Sequence, residues 1–453
     1  MKKTNIVFLI IDSFRSDKFF DDSKNIKNPT FKTLINNGSY FSNAISSADG
    51  TILSWSSIFT GKFPFKTGIR SSKFNRLSPE TNTFFDVLEK ENYHFYSYLP
   101  KISETVGLFP KFENDNNNYD FYMGLTNGLG QRVLDFLSKK IPEPWFLLIH
   151  SMDLHPPVNI DKKFDNDEYG KNYYERKISE IDPWLDKISQ SIDFSNTLLI
   201  ITADHGSYIK SVTRNGKQID TNVNANSQIL TSKIAKKIPK FLHPLKDRVF
   251  FAREKIHVNK ISKTIKNYEL EPHEMRALKS GRADKDHFLF DDKIKVPLLF
   301  IGKNIPINKK ISQQVRTIDI FPTIFEALGI KFNDDIDGSS LINLMNDIDE
   351  DEKIAYFEST PLVLIESNDV IGIRTSKYKY FRDKNNSQNR IHLYDLENDP
   401  FENFNLASSN INKINDLENI LSNILKDSKN NFNDINELNS QKIEDELKKL
   451  GYV

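Results

Sequence analysis

The stretch NIVFLIIDSFRSD, residues 5–17, decides the fold. Its apolar run, Ile6–Ile11, passes without a break into Asp12. A run this short and this uniformly apolar has neither the alternation of a half-exposed strand nor the length of a helix, and it reads as a strand buried on both faces. Lys2 and Lys3 stand just before it. Even so, the run is too short and too soon ended by an acid, with no small-residue cleavage site, to read as an export signal.

Three further runs share this character: Trp145–Ile149, Thr197–Thr202 and Val296–Ile301. Amphipathic stretches such as Phe84–Glu91 and Tyr173–Ile192 lie between them. Strand and helix in alternation predict an α/β fold, with a large, mostly parallel sheet sandwiched by helices. Ligands of such sheets bind beyond the carboxyl ends of the strands. The polar residues there are Asp12 after the first run, His150, Asp153 and His155 after the second, and Asp204 and His205 after the third. One Asp after a strand is ordinarily a turn or helix-cap residue; three strands ending this way mark a site. His150 taken alone reads as a buried, hydrogen-bonded histidine. With Asp153 it is otherwise a supporting group or a ligand of a second metal.

The composition narrows the function. Lys+Arg and Asp+Glu both total 62 in 453 residues, so the basic surplus that nucleic-acid binding requires is missing. There is no cysteine, which excludes disulfides, thiolate catalysis and thiolate-bound zinc. No window approaches the roughly 20 apolar residues of a transmembrane helix, and the expectation is a cytoplasmic protein. The rhythm breaks at about 208–284, a Lys- and Arg-rich insertion. It reads as a solvated helical excursion, a lid, or a basic face for an anionic substrate or a peripheral membrane contact. Near the end, Leu417, Ile420, Leu421, Ile424 and Leu425 fall at helical spacing. The organisation expected is a catalytic region over 1–345, carrying the insertion, and a smaller α+β subdomain over 346–453.

The chemistry-bearing segments are TADHG (202–206) and DGTILSWSSIFTGKFPFKTGI (49–69). A carboxylate beside an imidazole at a strand end suits a divalent cation of intermediate hardness. The second segment resembles the nucleophile segment of the sulfatases of the alkaline phosphatase superfamily: Thr60, Gly61, Phe63 and Pro64 fit the tail of that pattern, and nine places back lies Thr51. NIVFLIIDSFRSD, FLLIHSMDLHPPV, LLIITADHG, VPLLFIG, TIDIFPTIFEALGI, DGSSL, GIRTSKYKYF, HLYDLENDPFENFNLA and KIEDELKKLGYV follow the family's order over nearly the whole chain, the insertion excepted. The resemblance implies an alkaline-phosphatase-like fold, Asp12, Asp204 and His205 as metal ligands with Thr51, and His155 against the ester's anionic oxygens. It also implies a Lys or His about ten residues before VPL, where Lys285 and His287 flank Asp286.

The chain departs from that family in four places. Thr51 stands where a formylglycine precursor is usual, Leu53 where a proline is, Trp55 where an arginine is, and Ser13 where a second acidic residue often follows the first strand. The remaining set of Asp12, Thr51, Asp204 and His205 also resembles the single-metal site of the lipid-A phosphoethanolamine transferases. The expected activity is metal-dependent hydrolysis of sulfuric or phosphoric esters, with one dication (Zn²⁺, Mn²⁺ or Ca²⁺) and Thr51 as nucleophile. His155 and one of Lys285 or His287 would bind the oxygens or protonate the leaving group. The substrate would be a small-molecule, glycan or lipid ester. Phosphoryl transfer to a glycan or lipid, and an inactive binding protein, are the alternatives.

Overall fold

The computed structural model describes residues 3–19, 26–69, 77–99, 106–114, 123–221, 255–280, 289–333, 335–360 and 369–426. The four apolar runs are strands. They are β1 (Asn5–Ile11), β4 (Trp145–Ser151), β5 (Thr197–Thr202) and β8 (Lys295–Gly302), and every residue of β1, β4 and β5 is buried. With β2 (Ser39–Ile45), β3 (His94–Tyr98), β9 (Lys309–Ile311) and β10 (Val315–Arg316) they form an eight-stranded sheet. Its order is β10-β2-β8-β5-β1-β4-β3, with β9 also on β2. All pairs are parallel except those of β8, which runs antiparallel to both β2 and β5. An uninterrupted apolar run states burial but not direction, so this reversal is invisible in the sequence.

Helices cover the sheet as the amphipathic stretches predict, among them Phe84–Lys90 and Tyr173–Gln190. The helix Thr51–Thr60 is buried along its whole length and ends at Gly61, whose φ of +66° closes it in the left-handed region. Phe59 anchors it, edge-on to Phe8 of β1 at 6.1 Å and to Phe84 at 5.2 Å. Clusters of this kind dominate core energetics because each ring removes a large apolar area from water.

A second sheet is antiparallel, in the order β11 (Ala355–Glu358), β12 (Val370–Arg374), β13 (Tyr378–Asp383) and β14 (His392–Asp395). The helix Ile411–Leu425 lies against it, burying Leu417 and Leu421 with Ile371, Ile373, Tyr380 and Leu393. Phe63 and Phe65 pack into the same cluster and join the two sheets. The described part of the insertion holds a hairpin, β6 (Ser211–Arg214) and β7 (Lys217–Asp220), and helices over 255–265 and Pro272–Lys279. They close around Ile219, Ile261, Ile265 and Leu278, so this part has an apolar centre of its own.

Candidate active site

Strand register brings three polar side chains to one level. Ile10 of β1 pairs with His150 of β4 on one side and with Thr202 of β5 on the other. Asp12 and Asp204 each stand two residues beyond that row. Ser13 then turns the chain with φ +63°, a conformation that costs a non-glycine residue energy and is held by its surroundings. Tyr174 Oη donates to the Ser13 carbonyl at 2.7 Å, and the Arg15 amide donates to that Tyr174 oxygen at 3.0 Å.

The donors face one another in pairs. His150 Nε2 is 3.4 Å from Asp12 Oδ2 and 3.8 Å from Asp204 Oδ2, and His205 Nε2 is 3.7 Å from the same Asp204 oxygen. Asp12, His150 and Asp204 each offer an atom within 4.8 Å of the other two. These separations exceed an ordinary N–H···O bond; those among Asp12, His150 and Asp204 are the spacings of groups facing a common point, with His205 beside Asp204. The remaining carboxylate oxygens are occupied. Asp12 Oδ1 accepts from Ser13 Oγ at 2.7 Å, and Asp204 Oδ1 from the amides of Ser13 at 3.3 Å and His205 at 2.9 Å. Asp204 Oδ2, fully buried, accepts no hydrogen bond among the described residues. His205 Nδ1 lies 2.8 Å from the Gly206 carbonyl. A carbonyl only accepts, so Nδ1 carries the hydrogen and Nε2 presents its lone pair to the cluster.

Thr51 opens the helix Thr51–Thr60 and is buried beside these groups. Its hydroxyl donates to Asp12 Oδ2 at 3.3 Å. Ser46 Oγ donates to the Asp204 carbonyl at 2.6 Å and meets Ser54 Oγ at 3.0 Å, which ties the helix to the turn after β5. Gly206 is there for close approach: a Cβ would stand 2.2 Å from the Asp292 carbonyl oxygen. Trp55, one turn after Thr51, is fully buried and meets the His150 ring edge to face, with centroids 4.8 Å apart.

Burial alone would raise the Asp12 carboxyl, but His155, His150 and His205 outweigh it and hold Asp12 well below the usual carboxylate range. His150 is the counterpart. Burial would lower it, yet Asp12 and Asp204 lift it to about 9. Asp49, two residues before Thr51, is pushed up by burial, partly offset by Lys293 and by the bond from Thr360.

Asp12, Thr51, Asp204 and His205 thus come together, and His155 lies close enough to act on Asp12. Lys285 and His287 lie outside the described residues. Asp153 is turned away from the cluster. It takes the Leu125 amide at 2.6 Å and the Thr126 hydroxyl at 2.6 Å, capping the turn Leu125–Asn127. Sequence reasoning under-read His150, whose place is set by a strand register that the sequence does not display.

Comparison with known proteins identifies the family and the fold. The family model described as Sulfatase matches residues 4–330, and the model of the N-sulphoglucosamine sulphohydrolase C-terminal region matches 280–431. Arylsulfatase K of Mus musculus is 22% identical over 434 residues, covering 89% of this chain and 76% of that protein. The human arylsulfatase K is 22% identical over 443 residues, covering 90% and 79%. Among solved structures, a sulfatase from Bacteroides thetaiotaomicron superposes with a TM-score of 0.66 at 15% identity, covering 96% of this chain and 95% of its own. A 2-O GAG sulfatase superposes with a TM-score of 0.64 at 16% identity, covering 96% and 94%. The expected cytoplasmic location is corrected by these relatives, because arylsulfatase K is not a cytoplasmic enzyme. Among the described residues no helix is long and apolar enough to cross a membrane.

Proposed function

Because the chain belongs to the sulfatase family and is a hydrolase of sulfuric esters, we propose that it uses Thr51 as its nucleophile, beside one divalent cation, on a sulfated small molecule or glycan. The observation that carries this reading is the Thr51 hydroxyl 3.3 Å from Asp12 Oδ2, inside a buried cluster of two carboxylates and two imidazoles.

Thr51 needs activation, since a free hydroxyl is a weak nucleophile. The hydroxyl donates to Asp12 Oδ2 at 3.3 Å, which makes that carboxylate its base. The residues fit a bound dication: Asp12, His150 and Asp204 each offer an atom within 4.8 Å of the others, the buried Asp204 Oδ2 takes no hydrogen bond among the described residues, and His205 Nε2 stands 3.7 Å from that oxygen. Asp12, Asp204 and His205 would hold the ion, with Thr51 adjoining and His150 within reach. When bound, it supplies positive charge that lowers the hydroxyl's pKa and offsets charge on the sulfuryl oxygens.

Asp12 then orients the Thr51 hydroxyl and accepts its proton as Oγ attacks sulfur. The bond between sulfur and the ester oxygen breaks, and His155 protonates the departing oxygen. The product on the enzyme is a sulfate ester of Thr51. Water attacks its sulfur in turn, releasing hydrogen sulfate and restoring the hydroxyl. Lys285 and His287 are further donors proposed for the leaving group. The relatives' name supports aryl sulfates as assay substrates. The test is rapid quench with an aryl sulfate followed by peptide mass spectrometry. A sulfo adduct on the peptide containing Thr51, lost together with turnover in Thr51→Ala, is expected. Unchanged turnover in Thr51→Ala would rule the nucleophile out.

A further inference from the structure

We infer that Lys177 is a positioning residue for His155: its buried ammonium moors both ends of the loop that carries the histidine. This rests on the reading of His155 as the donor to the departing oxygen and goes beyond it by naming what holds that donor in place.

Lys177 stands where the helical pattern asks for an apolar residue. The helix Tyr173–Gln190 buries Tyr174, Ile178 and Ile181 in the core, and Lys177 is buried among them. Packing alone would be served there by leucine or methionine. An ammonium taken out of water is costly unless polar groups meet it. Three do. Lys177 Nζ donates to Thr126 Oγ1 at 2.5 Å, and it stands 3.3 Å from Glu180 Oε2 and 3.5 Å from Asp153 Oδ1.

Two of these partners hold the two ends of one loop. Residues 152–161 leave the end of β4 and carry His155. At the start of the loop, Asp153 accepts from the Thr126 hydroxyl and the Leu125 amide, both at 2.6 Å. Gly124 packs so closely there that a Cβ would stand 2.4 Å from Asp153 Oδ1. Leu154, the next residue, is fully buried. At the far end, Glu180 Oε2 accepts from the Asp161 amide at 3.2 Å. His155 lies between these moorings, its amide donating to the Met152 carbonyl at 3.2 Å. One ammonium therefore neutralises the carboxylate that fixes the start of the loop and the carboxylate that fixes its close.

None of the three partners belongs to the cluster around Asp12, so an effect of Lys177 on the reaction must travel through the loop. Without the ammonium, Asp153 and Glu180 are buried acids that have lost a cation. Burial already pushes the Glu180 carboxyl up, and Lys177 is the largest influence against it. The loop relieves the loss only by moving, and a shift of about 1 Å at a reacting group can cost up to ~10²-fold in rate.

The test uses the full-length protein and two esters. The leaving group of 4-nitrophenyl sulfate departs with little help from an acid, whereas that of phenyl sulfate needs protonation. In Lys177→Met, kcat on phenyl sulfate should fall by about 10–100-fold, with a much smaller fall on 4-nitrophenyl sulfate. His155→Ala should show the same selectivity. Adding Lys177→Met to His155→Ala should cost little more, because both changes remove one function. A circular dichroism melt reports folding. If Lys177→Met does not fold, Glu180→Gln keeps the ammonium, weakens the far mooring and should show the same selectivity at smaller size. Equal falls on the two esters, or losses of the two single variants that multiply in the double, overturn the inference and leave the acid role of His155 standing. An unselective loss in His155→Ala would overturn both.

Discussion

Thr360 donates its backbone N–H to Asp49 Oδ1 at 2.6 Å, and through that bond the antiparallel sheet holds the turn that presents Thr51. The contact is continuous. The Glu358 amide donates to the Ser47 carbonyl at 3.0 Å, Ala48 and Glu358 form an isolated parallel bridge, and Gly50 packs on Thr360. A Cβ at Gly50 would stand 2.4 Å from Thr360 Oγ1 and 3.0 Å from its Cβ, so one chain must move.

Gly50→Ala should therefore damage catalysis more than folding. A displacement of about 1 Å at a reacting group can cost up to ~10²-fold in rate. The expected result is a large loss of kcat on an aryl sulfate with a melting temperature near that of the parent. Thr360→Gly in the same chain should restore much of the rate by making room. Full activity in Gly50→Ala would show that the contact does not position Thr51.

Trp55 gives a second prediction. It fills the space between His150, Phe59 and Phe109. Truncation to alanine leaves a cavity and should cost about 3–5 kcal/mol in chemical denaturation. Trp55→Phe keeps an aromatic edge for the imidazole and should cost far less. The indole N–H accounts for little of this, since Trp55 Nε1 has no hydrogen-bond partner among the described residues. Equal losses in the two variants would contradict the packing role.

The metal-stripped protein should have a stability that depends on pH through His150. Burial opposes its charged form, but Asp12 and Asp204 raise its pKa from 6.5 to about 9. A group whose folded pKa is raised contributes its stability fully below the unfolded value and loses it as pH climbs through the folded one. Urea midpoints of the chelated protein should hold below about pH 6.5 and fall between there and about pH 9. His150→Gln should flatten that slope. A midpoint that rises across the same window in the chelated wild-type protein would contradict the sign.

Much of this was legible in the sequence, for identifiable reasons. Uniform apolar runs gave β1, β4, β5 and β8 because burial on both faces leaves no room for polar residues. The spacing of Leu417 and Leu421 marked a helix packing on the second sheet. Asp12, Asp204 and His205 were legible as neighbours because strand ends converge in such folds, whereas Thr51 was legible only through the resemblance of residues 49–69 to the sulfatase nucleophile segment. His150 was not: a lone imidazole in an apolar strand looks the same whether it serves the core or a site. Only the pairing of Ile10 with both His150 and Thr202 decides it. Asp153 shows the same limit. Its cap on Leu125 and Thr126 is a contact between segments far apart in the chain.

The seam between the two sheets also holds a buried ionic cluster whose energetics can be dissected. Lys379 Nζ is fully buried, 2.5 Å from Asp291 and 2.6 Å from Glu402. Asp291 has a second partner in Arg374 at 2.9 Å, whereas Glu402 is pushed up by burial and leans on Lys379. Lys379→Met should thus strand Glu402 more than Asp291. Losing one partner of a buried pair costs about 3–5 kcal/mol, because the other charge stays desolvated. Glu402→Gln alone leaves Lys379 with Asp291 and should cost less. In the double variant the stranded charge is gone, so the combined loss should be clearly smaller than the sum of the single losses. Urea unfolding of the four proteins measures this coupling, and strict additivity would show that Lys379 and Glu402 do not stabilise each other.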